Sequence, residues 1–245
     1  MRPLIVIPAR LASTRLPGKP LAPIAGRAMI LHVADRAREA AIGPVAVACA
    51  DAEIAEAVRA AGVTAVMTDP SLPSGSDRVH AALALIDPQG EYDVVINLQG
   101  DLPTMPPEQI RAVIAPLADP TVEIATLVAP ILSDEEANAP SVIKAACAFD
   151  RGRAVSLALY FSRAAIPAGE GPRWHHIGVY AYRRAALARF VALPESPLER
   201  REKLEQLRAL EAGMRIACAR VDHAPFGVDT PADLDRARRI LEARA

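Results

Sequence analysis

The stretch "VIPARLASTRLPGKPL" (6–21) sets Arg10, Arg15 and Lys19 within ten residues, on a path stiffened by Pro8, Pro17, Gly18 and Pro20. Backbone N–H groups on a tight loop, joined by arginine and lysine side chains, make an anion site. Three positive charges suit a triphosphate better than a single carboxylate. A merely solvated charged face would not need so stiff a framework. Opposite charge comes from two other places. "NLQGDLP" (97–103) ends an apolar run with Gly100 and Asp101, and "FGVDTPADL" (226–234) sets Asp229 just before a helix start. Taken singly, Asp101 reads as a turn former and Asp229 as a neighbour of a helix cap. Together with the cationic loop they read as two carboxylates holding Mg²⁺ against phosphates, because Mg²⁺ takes one or two carboxylates plus substrate oxygens. The G-x-x-x-x-G-K-[ST] loop is missing, and no G-x-G-x-x-G follows the first apolar run, which disfavours ATPase and NAD readings.

Such residues meet only if strand ends are brought together. Short apolar runs occur at 4–7, 45–49, 64–67, 94–98 and 124–130, separated by Ala-rich amphipathic stretches near 28–41, 52–61, 77–86 and 107–117. Gly43 and Gly62 follow two of these and suit the left-handed position that ends a helix. Apolar strands alternating with helices predict a parallel sheet covered on both faces, with ligands at the strands' carboxyl ends. The loop carrying Arg10 and the Gly100-Asp101 pair both fall there. The pattern changes after Pro130. Residues 142–161 read as two strands around a turn at Asp150-Arg151-Gly152, and 175–183 as a further strand with antiparallel texture. A charged amphipathic helix is expected over 196–213, ended by Gly213, then a strand at 215–221. A last helix over 230–243 has Thr230 as N-cap and Pro231 at its first position. The expected fold is α/β: a Rossmann-like, mostly parallel domain from 1–130 and 191–245, with a smaller antiparallel insertion at 131–190.

The chain has 245 residues, half of them hydrophobic (51%), and a net charge of −1, which allows a substantial core and argues against an extended nucleic-acid surface. No apolar stretch reaches the roughly 20 residues of a membrane span, and the N-terminal run is too short for a secretory signal. Cys49, Cys147 and Cys218 are widely spaced in apolar surroundings and form no Cys-x-x-Cys, so buried thiols in a reducing cytoplasm are expected rather than a disulfide framework or zinc site.

"IPARLASTRLPGKPL", "SGSDRV", "QGD", "YFSRAAIP", "HIGVYAY", "SPLERREKLEQLR" and "GVDTPADL" resemble, in that order, the 3-deoxy-manno-octulosonate cytidylyltransferases, the CMP-Kdo synthetases of Gram-negative bacteria, and the resemblance runs from Ile7 to Leu241. Sialic-acid-activating synthetases share only the start of the first motif. The resemblance implies transfer of cytidine monophosphate from CTP to the 2-hydroxyl of 3-deoxy-manno-octulosonate (Kdo), with release of pyrophosphate, for lipopolysaccharide biosynthesis. It implies that Arg10, Ser13, Arg15 and Lys19 take the phosphates, with Lys19 and Arg15 acting in catalysis and Lys19 steadying the departing pyrophosphate. Asp101 and Asp229 match the family's magnesium ligands. Ser74 and Gly75 match the loop that meets cytosine, and Arg78 a further cation near the triphosphate. Gln99, Arg163, His176, Tyr180, Glu205 and Gln206 match positions around Kdo. Arg163 would suit the sugar carboxylate, since its planar fork pairs two oxygens. The inserted region implies a homodimer. Leu102 departs from the pattern, since the family often has an acid after the Gly-Asp pair, and "AGEGPRW" (168–174) is short.

Alternatives are a cytidylyltransferase for another 2-keto sugar acid (8-amino-Kdo or sialic acid), a nucleotide sensor without catalysis, or a glycosyltransferase. The two carboxylates disfavour the sensor. The absence of an Asp-x-Asp at Gly100-Asp101-Leu102 disfavours the glycosyltransferase.

Overall fold

A computed structural model describes residues 1–12, 16–150 and 152–243; Ser13 and Arg15, expected on the phosphate loop, and Arg151 of the expected turn lie outside the described residues. The elements run β1 (Pro3–Ala9), β2 (Pro23–Ile24), β3 (Arg27–Ala28), α1 (Met29–Glu39), β4 (Val45–Cys49), α2 (Ala52–Ala60), β5 (Thr64–Met67), α3 (Gly75–Ile86), β6 (Val94–Asn97) and α4 (Pro107–Ala112). They continue with β7 (Ile124–Pro130), α5 (Asp134–Asn138), β8 (Lys144–Cys147), β9 (Val155–Ser162), β10 (Trp174–Arg183), α6 (Arg184–Ala192), α7 (Pro197–Glu202), α8 (Leu207–Glu211), β11 (Ile216–Arg220) and α9 (Pro231–Glu242). Two compact units result: Met1–Arg111 with Pro225–Ala245, and Ala112–Ala224.

In the first unit four strands run parallel in the order β5-β4-β1-β6. β1 is central, so it is buried along nearly all its length, and its run of Leu4, Ile5, Val6 and Ile7 is what a strand covered on both faces requires. α1, α2 and α3 pack on these strands. Gly62 ends α2 in the left-handed region as expected, at φ +67°. Gly43 does not end α1. Ala41 takes the left-handed position at φ 53°, and Gly43 is required for a different reason: a Cβ there would stand 2.1 Å from the Pro3 carbonyl oxygen. The helix expected over 107–117 stops at Ala112 and resumes as a 3₁₀ turn at Ala115–Ala118, because Pro116 lacks an N–H and disfavours helix in the residue before it.

The second unit runs from Ala112 to Ala224, where 131–190 was expected for the insertion. β7 has the all-apolar texture of β1, yet its partners are β10, antiparallel, and β11, parallel, so both β7 and β11 belong with the second unit. β11 pairs β9, β9 pairs β8, and β8 returns to β10, so five strands close into a ring. β10 carries a bulge: Ile177 faces Leu127, but Tyr180 faces the next residue back, Thr126. Two extra residues, Gly178 and Val179, are absorbed, so the alternation of faces survives and His176 and Tyr180 stay on one side.

The single helix expected over 196–213 is two short ones. Lys203 turns left-handed at φ 57°, after a capping box between Ser196 and Glu199. Glu199 is buried and pairs with Arg208, whose Nε lies 2.8 Å away, so charges that read as a solvated helix face instead fold the chain back on itself. Gly213 follows α8 at φ +73°, as expected. Cys49 and Cys218 are buried free thiols, but Cys147 is only half-buried.

Candidate active site

After β1 the Asp51 carboxylate accepts from Leu11 N at 2.8 Å, and Gly18 N donates to Leu11 O at 3.2 Å. Gly18 is left-handed at φ 68° and starts the 3₁₀ turn Lys19–Leu21, with Pro20 buried beneath it. The opening stretch thus aims Lys19 by backbone geometry. Its side chain is only 14% exposed.

Lys19 Nζ lies 3.0 Å from Asp101 Oδ2 and 3.1 Å from Asp229 Oδ1. Two segments far apart in sequence are brought together here. Val228 N donates to Asp101 O at 2.9 Å, so residue 229 arrives beside residue 101. Val228 itself is fixed in a core with Ile24, Met29 and Leu234. Thr230 caps α9 in a capping box with Asp233, and Asp233 also accepts from Asp229 N at 3.2 Å. Thr230's hydroxyl, followed by neighbouring backbone N–H groups, holds the Asp233 carboxyl below its usual range, opposed by burial. With its backbone clamped, Asp229 presents its carboxylate to Lys19. Thr-x-x-Asp at 230–233 is the sequence signature of this capping box.

A cavity of about 390 Å³ opens over this pair, lined by Arg10, Lys19, Ser74, Arg78, Gln99 and Asp101 among others. Gly100 forms part of its wall, and a Cβ there would stand 2.9 Å from the Pro8 carbonyl oxygen, so the strand end can approach β1 only as glycine. Ser74 caps α3 by accepting from Asp77 N, and Gly75 opens that helix at the cavity. The N–H groups of the first turn and the helix dipole favour negative charge there. Arg78 is 2% exposed and donates to Thr68 Oγ1 at 2.7 Å and Asp69 O at 3.1 Å. Burial, and next the Arg10 charge, weaken its hold on the proton, while Asp51 and Asp69 oppose them. Two arginines close enough to repel mark a place that an anion would relieve.

The same residues test the fit of a divalent cation. Asp101 and Asp229 already share one positive charge, the Lys19 ammonium, which stands in for a cation between them. Among the described residues no cluster of three or more His, Cys, Asp or Glu could hold a metal. Two carboxylates with room for phosphate oxygens is the donor set Mg²⁺ uses in nucleotide sites, so the residues fit it. Leu102, where the family often has an acid, is buried and offers no ligand.

Of the residues matched to the sugar, Gln99 belongs to the first unit, where its amide donates to Asn97 at 3.2 Å. The others belong to the second. His176 and Tyr180, on the bulged face of β10, have ring centroids 5.5 Å apart, and Phe161 meets the His176 ring edge-on at 4.8 Å. Burial, then the His175 charge, pushes the His176 pKa down to about 3. Burial, then Tyr182, Glu205 and Cys218, pushes the Tyr180 phenol up. The Gln206 side chain is buried, and its Nε2 finds no hydrogen-bond acceptor among the described residues. Glu205 precedes it after the left-handed Lys203. Arg163 is anchored: Nε donates to Glu202 O at 2.7 Å, Nη1 to Pro140 O at 3.0 Å and Nη2 to Lys203 O at 3.4 Å. Three of the five guanidinium N–H groups therefore already face carbonyls, leaving two. Glu202 completes the anchor by accepting from Arg163 N and Ser162 Oγ.

A cytidylyltransferase family model matches residues 4–216. A 3-deoxy-manno-octulosonate cytidylyltransferase of Paramagnetospirillum magneticum is 60% identical over 243 residues, covering 99% of each chain. One from Rhodospirillum centenum is 64% identical over 242 residues, 99% of this chain and 94% of that one. Among solved structures, CMP:2-keto-3-deoxy-manno-octonic acid synthetase complexed with CTP superimposes with a TM-score of 0.90 at 40% identity, covering 100% of both chains. With likeness of this degree running from end to end, the chain belongs to the 3-deoxy-manno-octulosonate cytidylyltransferase family.

Proposed function

We propose that the protein transfers a cytidine monophosphate unit from CTP to the 2-hydroxyl of Kdo and releases pyrophosphate, in a Mg²⁺-dependent reaction of lipopolysaccharide biosynthesis. The observation that carries this reading is the convergence of Arg10, Lys19 and Arg78 with Asp101 and Asp229 in one cavity at the ends of parallel strands. In-line transfer at phosphorus is mostly positioning and charge neutralisation. Arg10 and Arg78 hold the triphosphate, joined by Ser13 and Arg15 from the same loop. Ser74 and Gly75 meet the cytosine edge. Lys19 sits where its charge can follow the leaving pyrophosphate. Asp101 and Asp229 would hold Mg²⁺, which when bound would neutralise phosphate charge and ease deprotonation of the sugar hydroxyl. Gln99, His176, Tyr180, Glu205 and Gln206 read the sugar, and Arg163 offers its two remaining N–H groups to the carboxylate. The buried amide of Gln206 supports this, because an unpartnered donor of that kind is costly unless a ligand meets it.

The first unit fits the Rossmann-like nucleotide-binding role. For the second we infer a homodimer through the outer face of β9, where Leu157 is 38% and Leu159 71% exposed beside Val155. Free cysteines are in keeping with a cytoplasmic enzyme. Pyrophosphate release measured with each of four nucleoside triphosphates and a panel of 2-keto sugar acids tests the reaction. Turnover is expected with CTP and Kdo. Equal turnover with another triphosphate, or a clear preference for 8-amino-Kdo or sialic acid, overturns the assignment.

A further inference from the structure

Thr126 lies midway along β7, opposite the bulge in β10, and is fully buried. Its hydroxyl oxygen has three polar neighbours: Ile177 O at 3.0 Å, Val179 O at 2.8 Å and His176 Nε2 at 3.0 Å. The two carbonyls flank Gly178, the centre of the bulge, where regular strand pairing lapses and the backbone needs another partner. A carbonyl oxygen can only accept, and a threonine hydroxyl carries one hydrogen. That hydrogen is therefore directed at the carbonyls, and the lone pair faces the imidazole. The nitrogen opposite a lone pair must be the one that carries hydrogen. The reverse arrangement would set two buried carbonyls against a bare oxygen lone pair.

We propose that Thr126 is a positioning residue that fixes His176 as its Nε2–H tautomer and so leaves Nδ1 as a hydrogen-bond acceptor for a hydroxyl of the sugar. The inference rests on the reading that His176 belongs to the Kdo site. Nδ1 has no hydrogen bond among the described residues. The ring is held against rotation by the edge contact with Phe161 at 4.8 Å and by Tyr180 at 5.5 Å. Burial keeps the imidazole neutral at ordinary pH, so Nδ1 keeps its lone pair. A neutral acceptor of fixed tautomer discriminates by hydrogen-bond polarity: it welcomes an O–H and repels a carbonyl or carboxylate oxygen turned toward it.

The test reads the tautomer directly. In the full-length ¹⁵N-labelled protein, two-bond ¹H–¹⁵N correlation should show Nε2 protonated and Nδ1 bare for His176. An Nδ1–H tautomer, or an even mixture, overturns the proposal whatever the enzyme's substrate. In Thr126→Val the tautomer should become mixed, and KM for Kdo should rise roughly fivefold, the scale of one neutral hydrogen bond, with KM for CTP unchanged. Thr126→Ser, which keeps the hydroxyl, should restore both readings. If Thr126→Val does not fold, the native spectrum and the serine variant still decide. A Thr126→Val enzyme with parental KM for Kdo overturns the positioning role. His176→Phe with parental KM for Kdo, beside a native Nε2–H spectrum, overturns instead the reading of His176 as a sugar ligand.

Discussion

In the first unit Lys19, Asp101 and Asp229 meet at the tips of loops, their side chains 14%, 31% and 40% exposed. In the second, His176 and Thr126 meet inside a strand pair, 7% and 0% exposed. The first group consists of full charges that can exchange one partner for another, as phosphate sites must. The second is neutral and its hydrogen bonds are set when the strands pair. Removing a charge from the first should cost reaction rate and little stability, while disturbing the second should cost stability or sugar recognition.

The sharpest way to break this contrast is at the carboxylates. Asp101→Asn and Asp229→Asn should each fold normally and cut pyrophosphate release in Mg²⁺ by roughly 10²–10³ or more, the scale of losing one key electrostatic group. Normal turnover in both would remove the metal assignment.

Next comes acid stability. The folded pKa of His176 is depressed to about 3, from 6.5 in a free chain. Between those values the unfolded chain binds a proton that the folded one refuses. Stability should therefore fall as pH drops from about 6.5 toward 3, by a few kcal/mol in all. His176→Phe should flatten that limb in urea melts taken across the range, and an unchanged slope would show that the ring is not held neutral.

Lys19→Met should then lower turnover at saturating CTP about tenfold while changing KM for CTP less, because charge on the leaving pyrophosphate grows in the transition state. A variant with weaker CTP binding and parental turnover would make Lys19 a binding residue only.

The smallest effect falls on Arg163 of the second unit. Arg163→Lys should lower the melting temperature by a few degrees, through lost carbonyl contacts, and raise KM for Kdo by a few-fold to tenfold. A stability loss with parental Kdo kinetics would make it an anchor alone.

Legibility divides along the same line. β1, β4 and β6 can be read directly, because a strand buried on both faces must be nearly all apolar, and the Thr230-Pro231 start of α9 is written in two residues. The loop from Arg10 to Lys19 and the two aspartates stand out because charges beside Pro and Gly need a reason. The second unit hides its partners. β7 looks like β1, and only its hydrogen-bonding to β10 and β11 shows that it belongs elsewhere. Glu199 and Arg208 look like helix-surface charges until the left-handed Lys203 folds them together. Thr126 reads as one more β-branched strand residue, since nothing local announces a bulge on the strand opposite.

The ring of strands has one thin seam. β8 meets β10 through the pairs Trp174↔Ala145 and His175↔Lys144, helped by His176 N donating to Ile143 O at 2.8 Å. Lys144 is buried at that seam, its ammonium tied to Ala139 O, Val142 O and Arg163 O at 2.9, 2.7 and 2.6 Å. While the seam holds, these five strands offer no raw border to the outside. If it parted, two unpaired strand borders would appear together, each a template on which another molecule could zip. The backbone pairs of that seam, with the Lys144 ammonium bracing the entry to β8 against the end of β9, thus keep both strand borders covered.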